Sequence, residues 1–154
     1  MKSPSLKALA AGIAALVACS LHAQEITLKV SHFWAPGAMA PTKIIGPWCD
    51  KVNKESGGKL KCQIYPAMQL GGTPAQLIDQ GKDGIADIVY TLPGYTAGRF
   101  PLMEVFELPF MNLNAESSSQ AVWDYYLTTP AVQKEFAGIK PLAFHVHDEG
   151  FVHT

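Results

Sequence analysis

Leu60-Lys61-Cys62-Gln63-Ile64-Tyr65-Pro66, then Gly71-Gly72-Thr73-Pro74, then Ile85-Ala86-Asp87-Ile88-Val89-Tyr90-Thr91: these three stretches, read in order, decide the fold. The first is a short strand that Pro66 stops. The second starts a helix, because Thr73 can cap it and Pro74 suits the first helical position, where its missing N–H costs nothing. That helix is predicted to reach about Gly81. The third stretch is an apolar, β-rich run bounded by Gly84 and Pro93. It predicts a strand buried on both faces, as in a parallel sheet. Strand, helix, strand is a crossover, and crossovers between short strands imply an α/β layer.

The flanking sequence extends the pattern. Upstream, Ile26 to His32 alternates apolar and polar residues, the period of a half-buried strand. A Pro/Gly-rich loop from Phe33 to Pro41 follows. Ile44, Ile45, Trp48 and Val52 then mark one helical face. Pro47 kinks or starts that helix, and Gly57-Gly58 ends it. Downstream, Asn114 caps a helix to about Leu127, Thr129-Pro130 opens a short helix ending at Gly138, and Pro141 to Val146 is predicted as a strand. The fold class is α/β, a mostly parallel sheet flanked by helices.

Composition narrows the function. The chain has 154 residues, 12 Lys plus Arg against 13 Asp plus Glu, and a net charge of −1. That balance excludes an ordinary basic nucleic-acid binder. Hydrophobic residues at 48% with charged residues at 16% exclude a disordered chain, since enough apolar surface can be buried to offset the ordering entropy. Lys2 and Lys7, the uncharged run Ala8 to Ala18 and a small residue at Ala23 form a secretory signal over residues 1–23. The run is too short to span a bilayer. Cleavage after Ala23 removes Lys2 and Lys7 and leaves 10 basic against 13 acidic residues, a net −3. Leu16-Val17-Ala18-Cys19 also resembles a lipobox, in which Cys19 would be acylated; the short tether to Ile26 favours simple cleavage. Either route leads out of the cytoplasm, where disulfides persist. Cys49 and Cys62 are then an even pair and read as one disulfide, worth about 3 kcal/mol for its loop length.

In open parallel sheets ligands bind beyond the carboxyl ends of the strands. After the first strand come Phe33 and Trp34; after the third come Thr91, Leu92, Pro93, Gly94 and Tyr95. Aromatic loops beside helix N-termini suit a small ligand with an apolar body and an anionic group. No nucleophile elbow, P-loop or dinucleotide fingerprint occurs, so catalysis and a cofactor are not expected. His145, His147 and Asp148 allow a competing reading, a metal-dependent enzyme, because histidines separated by one residue share a strand face. Glu104 and Glu107, flanked by apolar residues, read as a structural edge rather than an acid/base pair.

Four segments resemble the extracytoplasmic solute-binding proteins of TRAP (tripartite ATP-independent periplasmic) transporters, DctP type: Glu55 to Lys61, Tyr65 to Gly72, Asp83 to Val89, and Phe106-Glu107-Leu108-Pro109-Phe110. They occur in the family's order and spacing. The resemblance implies a periplasmic-binding-protein-like fold of two lobes that close on a small organic acid, and delivery of that carboxylate to membrane permease subunits driven by an ion gradient. It implies a monomer without nucleic-acid partners, working in the periplasm; a lipid-anchored sensor on the same lobe is the further alternative. Residues 24–147 match the first lobe and 148–154 the start of the hinge and second lobe, so the second lobe is expected to be missing. The arginine that clamps the ligand carboxylate belongs to that second lobe, and Arg99 does not match it. The first-lobe pocket is expected to be lined by Phe33 and Trp34, by Thr91 to Tyr95, and by Glu149, Phe151 and Val152. The apolar Leu92, Pro93, Phe151 and Val152 favour an aromatic or short aliphatic carboxylate over a sugar acid.

Overall fold

The computed structural model describes residues 25–112 and 114–147. The signal segment 1–23, Cys19, Asp148 and the expected pocket residues Glu149, Phe151 and Val152 lie outside them. Three parallel strands form the sheet: β1 (Ile26–His32), β2 (Leu60–Tyr65) and β3 (Ile88–Tyr90), in the order β2-β1-β3. Ile26 pairs with Leu60, and Val30 with Ile88, so both neighbours run alongside β1 in register. The first crossover carries the chain from β1 to one side and the second carries it back past β1 to the other. That reversal is a topological switch point, where a crevice opens at the strand ends.

The helices follow the capping chemistry. A π-turn over Ala40–Ile45 leads into helix α1 (Gly46–Glu55), and the Gly46 N–H reaches back to the Pro41 carbonyl. Pro47 has no N–H, so it sits in the first turn of α1 rather than kinking its interior. Gly57 and Gly58 both take left-handed φ values, +63° and +81°, and turn the chain into β2. Helix α2 (Leu77–Lys82) is preceded by a single 3₁₀ turn, Pro74–Gln76. There the Gln76 side-chain oxygen accepts the Thr73 backbone N–H at 2.9 Å. Helix α3 (Ala115–Thr128) starts with Asn114 Oδ1 accepting the Ser117 N–H at 2.9 Å, and α4 (Pro130–Glu135) follows directly.

Two apolar clusters cover the sheet and its helices. One joins Val30, Ile45 and Cys49 with Cys62, Ile64, Ile88 and Tyr90. Within it the Cys49–Cys62 disulfide bolts α1 to β2, with the Cα atoms 5.7 Å apart. The other gathers Ile78, Phe100, Met103, Val122, Val132 and Phe136.

Three expectations need correction. β1 is not evenly half-buried: it starts exposed at Ile26 and ends with Val30, Ser31 and His32 fully buried, because only its carboxyl half has neighbours on both sides. The predicted strand 85–91 is only Ile88–Tyr90, and all three residues are half-buried. β3 borders β1 on one side alone, and at Asp87 the side chain takes the Lys29 N–H that a longer ladder would use. Pro141 to Val146 forms no strand. The Ser119 hydroxyl accepts the Val146 N–H at 2.8 Å and lies 3.2 Å from the Val146 carbonyl oxygen, so α3 holds the backbone groups a sheet would need.

Candidate functional site

β1 and β3 end side by side, with His32 paired to Tyr90. Whatever follows these residues must emerge together at the switch point. Phe33 and Trp34 follow the first, with ring centroids 4.4 Å apart. Thr91 and Leu92 follow the second and lead into a 3₁₀ turn, Pro93–Thr96, that returns Tyr95 to Phe33. The Tyr95 and Phe33 rings meet edge to face at 5.1 Å. Trp34 in turn lies 6.4 Å from Tyr90. An aromatic wall thus runs Tyr95, Phe33, Trp34, Tyr90, with Phe33 and Trp34 half-buried and Tyr95 42% exposed.

The wall is braced from behind. After β2 the chain takes two consecutive left-handed residues, Ala67 (φ +49°) and Met68 (φ +58°). Such conformations cost about 1 kcal/mol or more each in residues with a Cβ. They aim two N–H groups at the end of β1: Ala67 donates to the Trp34 carbonyl at 3.0 Å and Met68 to the His32 carbonyl at 3.1 Å. This gives the Tyr65-Pro66-Ala67-Met68 segment a physical role, since it fixes the backbone that carries Phe33 and Trp34. The lip is fixed too. Thr96 Oγ1 donates to the Pro93 carbonyl at 3.0 Å, and Thr91 Oγ1 reaches the Pro74 carbonyl at 3.5 Å. At Gly94 a Cβ would stand 2.5 and 2.6 Å from the Glu107 carboxylate oxygens, so a larger residue there would have to displace that side chain. Glu104 Oε1 accepts the Gly98 N–H at 2.6 Å. The Glu104 carboxylate therefore holds the loop, and that of Glu107 lies close against Gly94.

Tyr90 and His145 extend the wall. Their rings stack at 5.6 Å, and the Tyr90 hydroxyl is hydrogen-bonded to His145 Nε2. Burial raises the Tyr90 pKa. Burial, and then the charge of His147, lower that of His145. One ring nitrogen of His145, Nε2, is thus engaged with a phenol, and the histidines lie in an irregular segment rather than on a strand. Among the described residues no group of three or more His, Cys, Asp or Glu could hold a metal ion. Arg99 is committed elsewhere: its Nη2 donates to Asp79 Oδ1 at 2.7 Å, and that bond holds the Asp79 carboxyl below its usual range.

Of the residues expected from sequence, Phe33, Trp34 and Tyr95 meet in one wall, and Thr91, Leu92, Pro93 and Gly94 form its adjoining turn. Sequence reading missed Tyr90 as a wall residue. Its position as the last residue of β3, level with His32, was the available signal.

Fully buried His32 and partly buried His145 both have pKa values lowered from 6.5, in each case first by burial. The unfolded chain therefore takes up these protons before the folded one does. Stability is full above 6.5 and is lost as pH falls through the depressed folded values. Thermal unfolding should show a lower Tm near about pH 5 than near about pH 7.5, and His32→Asn should remove part of that difference. A Tm unchanged over this window would contradict the burial of these imidazoles.

In open parallel sheets ligands bind at the switch point, and here that point carries the aromatic wall. The chain belongs to the bacterial extracellular solute-binding protein family 7, DctP, whose family model matches residues 30–154. It is 53% identical to a TRAP solute-binding protein from Rhodoferax ferrireducens, crystallised with copurified benzoate (TM-score 0.74, covering 78% of this chain and 37% of that one). It is 48% identical to a marine-metagenome TRAP solute-binding protein specific for aromatic acid ligands, crystallised with 3-hydroxybenzoate (TM-score 0.76, 79% and 38%). Among curated proteins it is 33% identical over 141 residues to the outer membrane transporter protein TsaT of Comamonas testosteroni, covering 92% of this chain. The chain spans 41% of the length of that relative. TRAP solute-binding proteins are periplasmic, and the fold described above is that of one of their lobes.

Proposed function

We propose that this chain is the first lobe of a periplasmic receptor that captures an aromatic carboxylate and hands it to TRAP permease subunits, without catalysing a reaction on it. The observation that carries this reading is the unbroken contact from Tyr95 through Phe33 and Trp34 to Tyr90. Flat aromatic faces attract a flat aromatic ligand through offset-stacked or edge-to-face contacts, and an apolar turn at Leu92-Pro93 offers few partners for sugar hydroxyls. The names of the two solved relatives, with benzoate and 3-hydroxybenzoate, support the same ligand class.

In this reading residues 1–23 direct export, with acylation of Cys19 as the alternative anchor. Residues 24–147 form the lobe, residues 148–154 begin the hinge, and the receptor works as a monomer without nucleic acid. Glu149, Phe151 and Val152, outside the described residues, belong to the ligand-binding set in this reading. The described lobe presents its wall to water, where opposing charges are worth far less than at low dielectric. NMR titration at high ligand concentration therefore suits the test. Benzoate and 3-hydroxybenzoate should shift the signals of Phe33, Trp34 and Tyr95 in a saturable way, and a polyhydroxylated sugar acid should not. Preference for the sugar acid would refute the reading.

A further inference from the structure

Tyr90 ends the aromatic wall, and its ring has a neighbour on either hand, Trp34 at 6.4 Å and His145 at 5.6 Å. The His145 ring stacks on it with 24° between the planes, and Nε2 of that ring is hydrogen-bonded to the Tyr90 hydroxyl. The stack sets the plane of the phenol, and the bond sets where its hydroxyl end lies. His145 can hold Tyr90 because its own chain segment is held. On one side of it Phe144 packs against Trp123, Tyr126 and Phe136 at 5.8, 5.4 and 5.3 Å. On the other, the Val146 side chain joins the same cluster and its N–H donates to Ser119 Oγ at 2.8 Å. Phe144 and Val146 thus anchor the segment to the helices, and His145 between them faces Tyr90. Tyr90 is half-buried and His145 exposed, so this end of the wall is open to a ligand.

We infer that His145 is a positioning residue for the aromatic wall: it presets the Tyr90 ring, so that an aromatic acid meets a fixed surface instead of having to order a free side chain. This rests on the receptor reading above and adds to it the residue that holds the wall's last ring. His145 acts through Tyr90 and need not touch the ligand. A tyrosine left free loses rotamer freedom when a ligand packs on it, and that cost weakens binding. The bond to His145 meets the cost before the ligand arrives. Its loss should weaken binding about fivefold, the worth of one ordinary hydrogen bond.

The test is a double-mutant cycle read by NMR titration with benzoate. His145→Phe keeps a ring to stack on Tyr90 and removes the bond, and Tyr90→Phe removes the same bond from its other end. Each should weaken benzoate about fivefold. The double variant should be no weaker than either, because both changes delete one interaction. His145→Gln keeps a hydrogen-bonding side chain and should recover part of the lost affinity. In the free protein, the Tyr90 ring signals of His145→Phe should move toward rotamer-averaged values. A histidine that only supports the fold would lower the urea midpoint and leave the benzoate affinity of the folded lobe unchanged. That result would overturn the inference, as would Tyr90 ring signals that do not move or losses that multiply in the double variant. If the Phe33 and Tyr95 signals respond to benzoate equally in the wild type and in His145→Phe, this inference falls and the receptor reading stands. If they respond in neither, both fall.

Discussion

Phe100→Ala is expected to lower unfolding stability by about 3–5 kcal/mol, the range for deleting a buried aromatic ring and leaving its cavity. Phe100 is 1% exposed and stacks on Phe136 at 4.7 Å. It belongs to the cluster in which α2 contributes Ile78, α3 Val122 and α4 Val132. Removing it opens a cavity in the cluster that α2, α3 and α4 share. A small domain has about 5–15 kcal/mol in total, so the variant should be close to unfolding at ambient temperature. Urea denaturation measures this through the transition midpoint. A loss below about 1 kcal/mol would mean that this cluster is not the core of the lobe.

Breaking the Cys49–Cys62 disulfide comes next, with an expected loss of about 3 kcal/mol. The bond closes a loop of sequence separation 13 that contains the end of α1 and the start of β2. Its main effect is to restrict the unfolded chain, so the native lobe should survive with a lower urea midpoint. Cys49 and Cys62 also pack with Val30 and Ile45, and that packing persists after reduction. Denaturation with and without reductant measures the effect. The Cys49→Ala/Cys62→Ala double variant should be insensitive to reductant. A wild-type midpoint that reductant leaves unchanged would contradict the account.

The sequence carried whatever local chemistry decides. The Asn114 cap, the Gly57-Gly58 turn and the Thr73-Pro74 start are each set by neighbours in the chain, and each appears where its side chains require. The cysteine pair was also legible, because the expected loss of Cys19 with a signal segment leaves Cys49 and Cys62 as an even pair. What escaped notice depends on distant residues. Pro141 to Val146 has the composition of a strand, yet Ser119 on α3 takes up Val146, and no local pattern reveals that competition. The left-handed pair Ala67-Met68 is equally silent, since neither residue favours that conformation and only the carbonyls of His32 and Trp34 justify it. For the site, Phe33, Trp34 and Tyr95 could be named from their places after strands. The bond from Tyr90 to His145 could not, because that contact spans 55 positions.

The central claim is that the aromatic wall receives an aromatic acid. Phe33 touches both Trp34 and Tyr95, so it is the ring whose loss breaks the wall in two. NMR titration of the wild type and of Phe33→Ala with 3-hydroxybenzoate tests this most directly. The account predicts saturable binding to the wild type and at least about tenfold weaker binding to the variant, as for truncating a central aromatic anchor. Equal binding by the two proteins would contradict it.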